Sequence, residues 1–82
     1  MVEKLIESIK RADEVYVIFH DDKTIFESHV NTENVTLIDN VLQIGEIGSL
    51  LCICRIDEFT ITESDEDWYL TDGSRSINIF SP

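Results

Sequence analysis

Val35-Thr36-Leu37-Ile38-Asp39-Asn40-Val41-Leu42-Gln43-Ile44 is the stretch that decides the fold. Folded back on itself with Asp39-Asn40 as a two-residue turn, it sets Ile38 against Val41, Leu37 against Leu42, Thr36 against Gln43 and Val35 against Ile44. Val35, Leu37, Leu42 and Ile44 then share one face, an agreement between pattern and turn that is hard to obtain by chance. The chain is expected to be built on antiparallel hairpins.

Downstream, Gly45 and Gly48 bracket a short break. Leu50-Leu51-Cys52-Ile53-Cys54 is apolar on both faces and reads as a central strand, covered by a helix on one side and by another layer on the other. Arg55 ends that run, and Phe59 and Ile61 alternate with Glu58, Thr60 and Thr62 in a half-buried strand. Ser64 to Asp67 read as an exposed connection, after which Trp68 and Leu70 begin a further strand. Asp72-Gly73 is the strongest turn signal in the chain, and a loop of two or four residues there puts Trp68 and Leu70 on the side of Ile77 and Ile79.

Upstream, Val15-Tyr16-Val17-Ile18-Phe19, a polar turn at Asp21-Asp22 and a run from Thr24 to Val30 predict another hairpin. Its register stays open, because neither a two-residue nor a three-residue loop aligns every apolar partner. Val2, Leu5, Ile6 and Ile9 fall at i, i+3, i+4 and i+7 and form one helical stripe, with Glu7 and Arg11 as an i, i+4 pair. So short a helix is not stable alone in water and must dock on the sheet. Residues 1–82 read as a single domain, with a helix over 2–12 and strands near 14–20, 24–30, 34–38, 41–46, 50–63 with a break, 68–71 and 75–80. The fold class is α+β: an N-terminal amphipathic helix packed on an antiparallel meander of about six strands, or on a small, partly open barrel.

Charge is the main functional clue. Seventeen acidic side chains oppose six basic ones, giving a formal net charge of -11, beyond the magnitude of about 2 to 8 usual for a small soluble domain. Twelve isoleucines and four asparagines beside one alanine and one proline resemble the usage of an A/T-rich coding sequence, which should also be lysine-rich. Only Lys4, Lys10 and Lys23 occur. Either lysine has been selected against or the excess of acid serves solubility alone. No apolar leader and no apolar stretch near twenty residues is evident, so a cytoplasmic protein is expected.

Several chemistries are disfavoured. Three lysines with Arg11, Arg55 and Arg75 form no stripe for phosphate contacts, and the net field repels nucleic acid. Cys52 and Cys54 with His20 and His29 make a zinc inventory, but two cysteines two apart on a strand lie about 6.7 Å apart at Cα and do not chelate comfortably. Buried free cysteines are expected instead. The acidic runs lack the glycine of a helical calcium loop, and neither a phosphate loop nor a nucleophile elbow occurs. No cofactor, metal or catalytic residue is expected, and the chain reads as a non-enzyme.

An acidic face for a basic partner is what remains. The plausible contributors are Asp57 and Glu58, the run Glu63, Asp65, Glu66 and Asp67, Asp72 at the last turn, and Asp21 with Asp22. Trp68 is either an anchor beside these acids or a core aromatic sharing a face with Leu70. If residues 63–67 were extended, Glu63, Asp65 and Asp67 would lie on one face about 6.7 Å apart. In size, charge and lack of enzymatic motifs the chain resembles small phage-encoded inhibitors that imitate DNA, of the anti-CRISPR, anti-restriction and uracil-glycosylase inhibitor kinds. That resemblance implies a protein that fills the basic nucleic-acid-binding surface of a target such as a nuclease or CRISPR effector. It rests on composition and transfers no residue roles. An immunity or antitoxin protein for a basic nuclease needs the same electrostatics, and a small structural or assembly domain, monomeric or dimeric through an exposed strand edge, is the alternative from another class.

Overall fold

A computed structural model describes residues 1–46 and 48–81; Ile47, within the break expected between Gly45 and Gly48, and Pro82 lie outside the described residues. One helix, α1 (Val2–Arg11), precedes eight strands: β1 (Glu14–His20), β2 (Ile25–Asn31), β3 (Val35–Ile38), β4 (Val41–Glu46), β5 (Ser49–Cys54), β6 (Thr60–Ser64), β7 (Asp67–Thr71) and β8 (Ser76–Phe80). The class is α+β, but the strands do not form one meander. They divide into a five-stranded antiparallel sheet ordered β2-β1-β8-β7-β6 and a three-stranded one ordered β3-β4-β5, and the sheets do not close into a barrel. The chain leaves the larger sheet after β2 and returns to it after β5.

The β3–β4 hairpin has the register read from its sequence, Val35 to Ile44 through Ile38 to Val41. Asp39 and Asn40 both take positive φ, 53° and 62°, as a two-residue turn matched to the strand twist requires. The last hairpin pairs Trp68 with Ile79 and Leu70 with Ile77 around the four residues 72–75. These four side chains are buried. The β1–β2 hairpin resolves the open register with a four-residue loop: His20 pairs with Ile25, Phe19 with Phe26 and Val15 with Val30. Only Val15, Val17 and Val30 of this pair are fully buried, because Phe26 lies near the exposed loop end.

The inner faces of both sheets share one apolar core. Val15, Val17, Trp68, Leu70, Ile77 and Ile79 come from the larger sheet, Leu42, Ile44 and Ile53 from the smaller, and Leu5 and Ile9 from α1. The two sheets approach each other along β2, which lies beside β4 and β5, while α1 lies against β3 and is tied to β7 by a 3.0 Å hydrogen bond from the Trp68 indole to Ser8 Oγ. The expected Glu7–Arg11 pair is replaced, since the Arg11 guanidinium reaches Glu66 at 2.7 Å.

Two strand readings change. Leu50 to Cys54 is not central: β5 is the edge of the smaller sheet, with Leu51 and Ile53 towards the core and Leu50, Cys52 and Cys54 exposed on the other side. The break within 50–63 is a reversal at Arg55 (φ 57°) followed by a single 3-10 turn, Ile56–Glu58. Residues 64–67 are the exposed connection expected, in the form of a tight turn. Ser64 pairs with Asp67, and Asp65 and Glu66 form a tight turn with φ of 51° and 64°.

Candidate functional site

Strand direction sorts the candidate acids. β1 and β7 run towards one end of the five-stranded sheet, where the loops 21–24 and 72–75 sit side by side because His20 pairs with Ser76. The 3-10 turn carrying Asp57 and Glu58 enters β6 at that same end, where Thr60 pairs with Thr71. Asp21, Asp22, Asp57, Glu58 and Asp72 therefore border one end. Glu63, Asp65, Glu66 and Asp67 occupy the other, at the β6–β7 hairpin tip. Four to six strand residues separate them, or roughly 13 to 20 Å.

Within the tip, the hairpin overturns the single-face arrangement of Glu63, Asp65 and Asp67. Glu63 lies opposite Trp68 and Asp67 opposite Ser64, so these two acids point to opposite sides of the sheet. The turn is held by the Glu63 carboxylate, which accepts the Glu66 N–H at 2.7 Å. Asp67 Oδ1 accepts from Asn78 Nδ2 at 2.5 Å on the outer face. Trp68 is 3% exposed, which makes it the core aromatic that shares a face with Leu70.

At the opposite end, two carboxylates organise loops. Asp72 Oδ1 accepts N–H groups of Ser74 and Arg75 at 3.0 and 2.7 Å, while Oδ2 takes both Nε and Nη2 of Arg75. The Arg75 backbone N–H, then its guanidinium and the Ser74 N–H, hold the Asp72 carboxyl well below the usual range. Asp21 Oδ1 accepts from the N–H groups of Lys23 and Thr24, which likewise lower its pKa. Both carry full negative charge at neutral pH, in positions fixed by backbone.

All three arginines are paired within the candidate set: Arg11 with Glu66, Arg55 with Glu58 and Arg75 with Asp72, each at 2.7 Å. Arg75 also lies 5.2 Å over the Phe59 ring. Among the described residues, Asp21, Asp22, Asp57, Glu63, Asp65 and Asp67 have no ion pair, and all but Asp21 are classed as exposed. With Lys23 in the same loop as Asp21 and Asp22, these six still leave each end net negative.

A further acidic group was not legible in the sequence. On the outer face of β1, β2 and β8, Tyr16 packs edge-on against His29 and Phe80, with ring centroids 4.8 and 5.2 Å apart. The Tyr16 hydroxyl donates to Glu27 at 2.6 Å, a bond that raises its pKa, and His29 Nδ1 lies 2.7 Å from Glu14. The β1–β2 register brings Glu14, Glu27 and these rings together, and that register was the one the apolar pattern left undecided.

The zinc inventory is dispersed. Cys52 and Cys54 are exposed, not buried, on the outside of the smaller sheet, whereas His20 and His29 belong to the larger one. Among the described residues no group of three or more His, Cys, Asp or Glu is placed to hold a metal ion. A cleft of about 90 Å³ between α1 and the sheet is lined by Ser8, Arg11, Glu66 and Trp68. Among the described residues no helix is long and apolar enough to cross a membrane. No protein-family model matches the chain, and no curated protein or solved structure matches it.

Proposed function

We propose that this chain is an acidic protein-binding inhibitor that occupies the basic nucleic-acid-binding surface of a target protein, and that it acts by binding and not by catalysis. The observation that carries the reading is the placement of unpaired carboxylates at both ends of one sheet in a chain of net charge -11. Asp21, Asp22 and Asp57 mark one end, and Glu63, Asp65 and Asp67 the other. Their separation, roughly 13 to 20 Å, is of the order of the ~12 Å major groove that separates two phosphate rows of a duplex. One hairpin alone offers too few charges at the wrong spacing for such imitation, whereas the sheet holds two groups of them at a fixed separation.

Rigidity also supports the reading. Backbone N–H groups fix the Asp21 and Asp72 carboxylates and Arg11 holds that of Glu66, so little side-chain freedom is lost at these three on docking. A field of this sign steers the protein towards cationic clefts and accelerates encounter at low salt. The test is the triple variant Asp65→Ser, Glu66→Ser, Asp67→Ser, assayed for inhibition of DNA binding by a basic protein recovered from the host cell. Inhibition should weaken about tenfold at low ionic strength while the domain stays folded. An unchanged inhibition constant would remove the β6–β7 tip from the contact.

A further inference from the structure

No strand of the larger sheet contains a lysine or an arginine, while Glu14, Glu27 and Asp67 stand on its outer side. Towards β6, the edge strand, this face carries an open hollow of about 330 Å³ lined by Thr62, Glu63, Ser64, Asp67, Tyr69 and Asn78. Register gathers it: Thr62 pairs with Tyr69, Ser64 with Asp67 and Tyr69 with Asn78. Strand alternation turns these side chains away from the buried Trp68, Leu70, Ile77 and Ile79. Tyr69 is 46% exposed, a large ring left open to water.

Hydrogen bonding decides what the hollow can recognise. The Asn78 amide uses both of its protons, donating to Asp67 Oδ1 at 2.5 Å and to the Trp68 carbonyl at 2.7 Å, so Oδ1 is the polar atom it has left. The Thr62 hydroxyl donates to the Tyr69 carbonyl at 3.4 Å and can otherwise only accept. Asp67 accepts throughout, oriented by a neutral donor that leaves its charge in place, and Glu63 at the border is also an acid. Such a lining repels an anion and suits a cation rich in donors. A guanidinium brings five N–H donors in one plane, pairs with a carboxylate through two of them and stacks on an aromatic ring. An ammonium matches the charge but has neither the planar fork nor the stacking face. We infer that this hollow is the seat of an arginine side chain of the basic protein that the chain binds, with Asp67 as its carboxylate partner and Tyr69 as its stacking surface.

The inference rests on the proposed capture of a basic protein and adds to it a choice between the two basic side chains. Net charge alone would serve lysine and arginine alike, whereas the fork of acceptors and the Tyr69 ring favour arginine. The hollow is open at the sheet edge, as a side chain projecting from another protein requires. It also adjoins the β6–β7 turn, so an arginine seated in it draws its own protein against Asp65 and Glu66. Discrimination between the two cations and attraction by charge consequently fail separately.

NMR titration of the isotope-labelled full chain with nona-arginine and, separately, with nona-lysine at about 0.15 M NaCl tests the inference. Nona-arginine should bind about fivefold more tightly and should shift the Thr62, Tyr69 and Asn78 amides most. Tyr69→Ser, a change at an exposed position, should remove that preference, while Tyr69→Phe should keep it. Equal affinity for the two peptides, or shifts confined to the loop 21–24 and the turns 56–58 and 65–66, overturns the arginine seat and leaves capture of basic proteins standing. Binding of neither peptide overturns both. Free L-arginine that saturates the same shifts below about 1 mM would assign the hollow to the amino acid and overturn the partner protein as its occupant.

Discussion

Trp68 shows how one residue separates stability from recognition. Its ring is in the core and its indole donates to Ser8 on α1, so it fastens the helix to the sheet. Trp68→Ala should cost about 3 to 5 kcal/mol by urea denaturation, a large part of the whole stability of a small domain. Trp68→Phe, which keeps an aromatic ring but loses the bond and part of the bulk, should cost about 1 to 3 kcal/mol and leave partner capture unchanged. Asp72 is a second such residue, because a carboxyl held low in the folded state contributes stability that is complete above its unfolded value near pH 3.9. That contribution is lost as pH falls through the still lower folded value. Asp72→Asn should therefore be less stable than the parent at neutral pH, and the gap should narrow below about pH 4 when unfolding midpoints are compared across pH.

Hairpins are the elements that place the acids, and their legibility depended on their turns. Asp39-Asn40 and Asp72-Gly73 carry residue types that favour turn conformations, so the register of the first hairpin and the shared face of the second could be read from sequence, and both agree with the structure, which settles the second on a four-residue loop. Asp65-Glu66 carries no Gly or Asn, and the same kind of tight turn was invisible. Holding two such side chains at positive φ costs about 1 kcal/mol or more, so Asp65→Asn with Glu66→Gly should raise the unfolding midpoint. If the tip contacts a basic partner, the same variant should bind it less tightly, a gain in stability beside a loss of binding. Leu50 to Cys54 misled for another reason. Periodicity shows that both faces of a strand are apolar but not that both are covered, and β5 leaves Leu50, Cys52 and Cys54 open.

Over the whole molecule the charge of -11 resolves into regions of different character. The two ends of the larger sheet carry unpaired carboxylates, its outer face carries the Tyr16, His29 and Phe80 rings beside Glu14 and Glu27, and the outer face of the smaller sheet carries no charge. Composition announced the acidity, but only strand order could divide it, since Asp72 and Asp65 are near in sequence and sit at opposite sheet ends. Self-repulsion within this charge opposes the folded state at low salt. Raising NaCl from about 0.01 M to about 0.5 M should accordingly raise the melting temperature by a few degrees, as calorimetry can check.

The most direct measurement is recovery of host proteins on the immobilised chain at about 0.05 M NaCl, followed by separate elution with about 0.5 M NaCl and with duplex DNA. The expected result is a basic nucleic-acid-binding protein released by both eluants and lost from the Asp65→Ser, Glu66→Ser, Asp67→Ser variant. Recovery of no such protein, or of one whose retention is indifferent to salt and to DNA, would contradict the account.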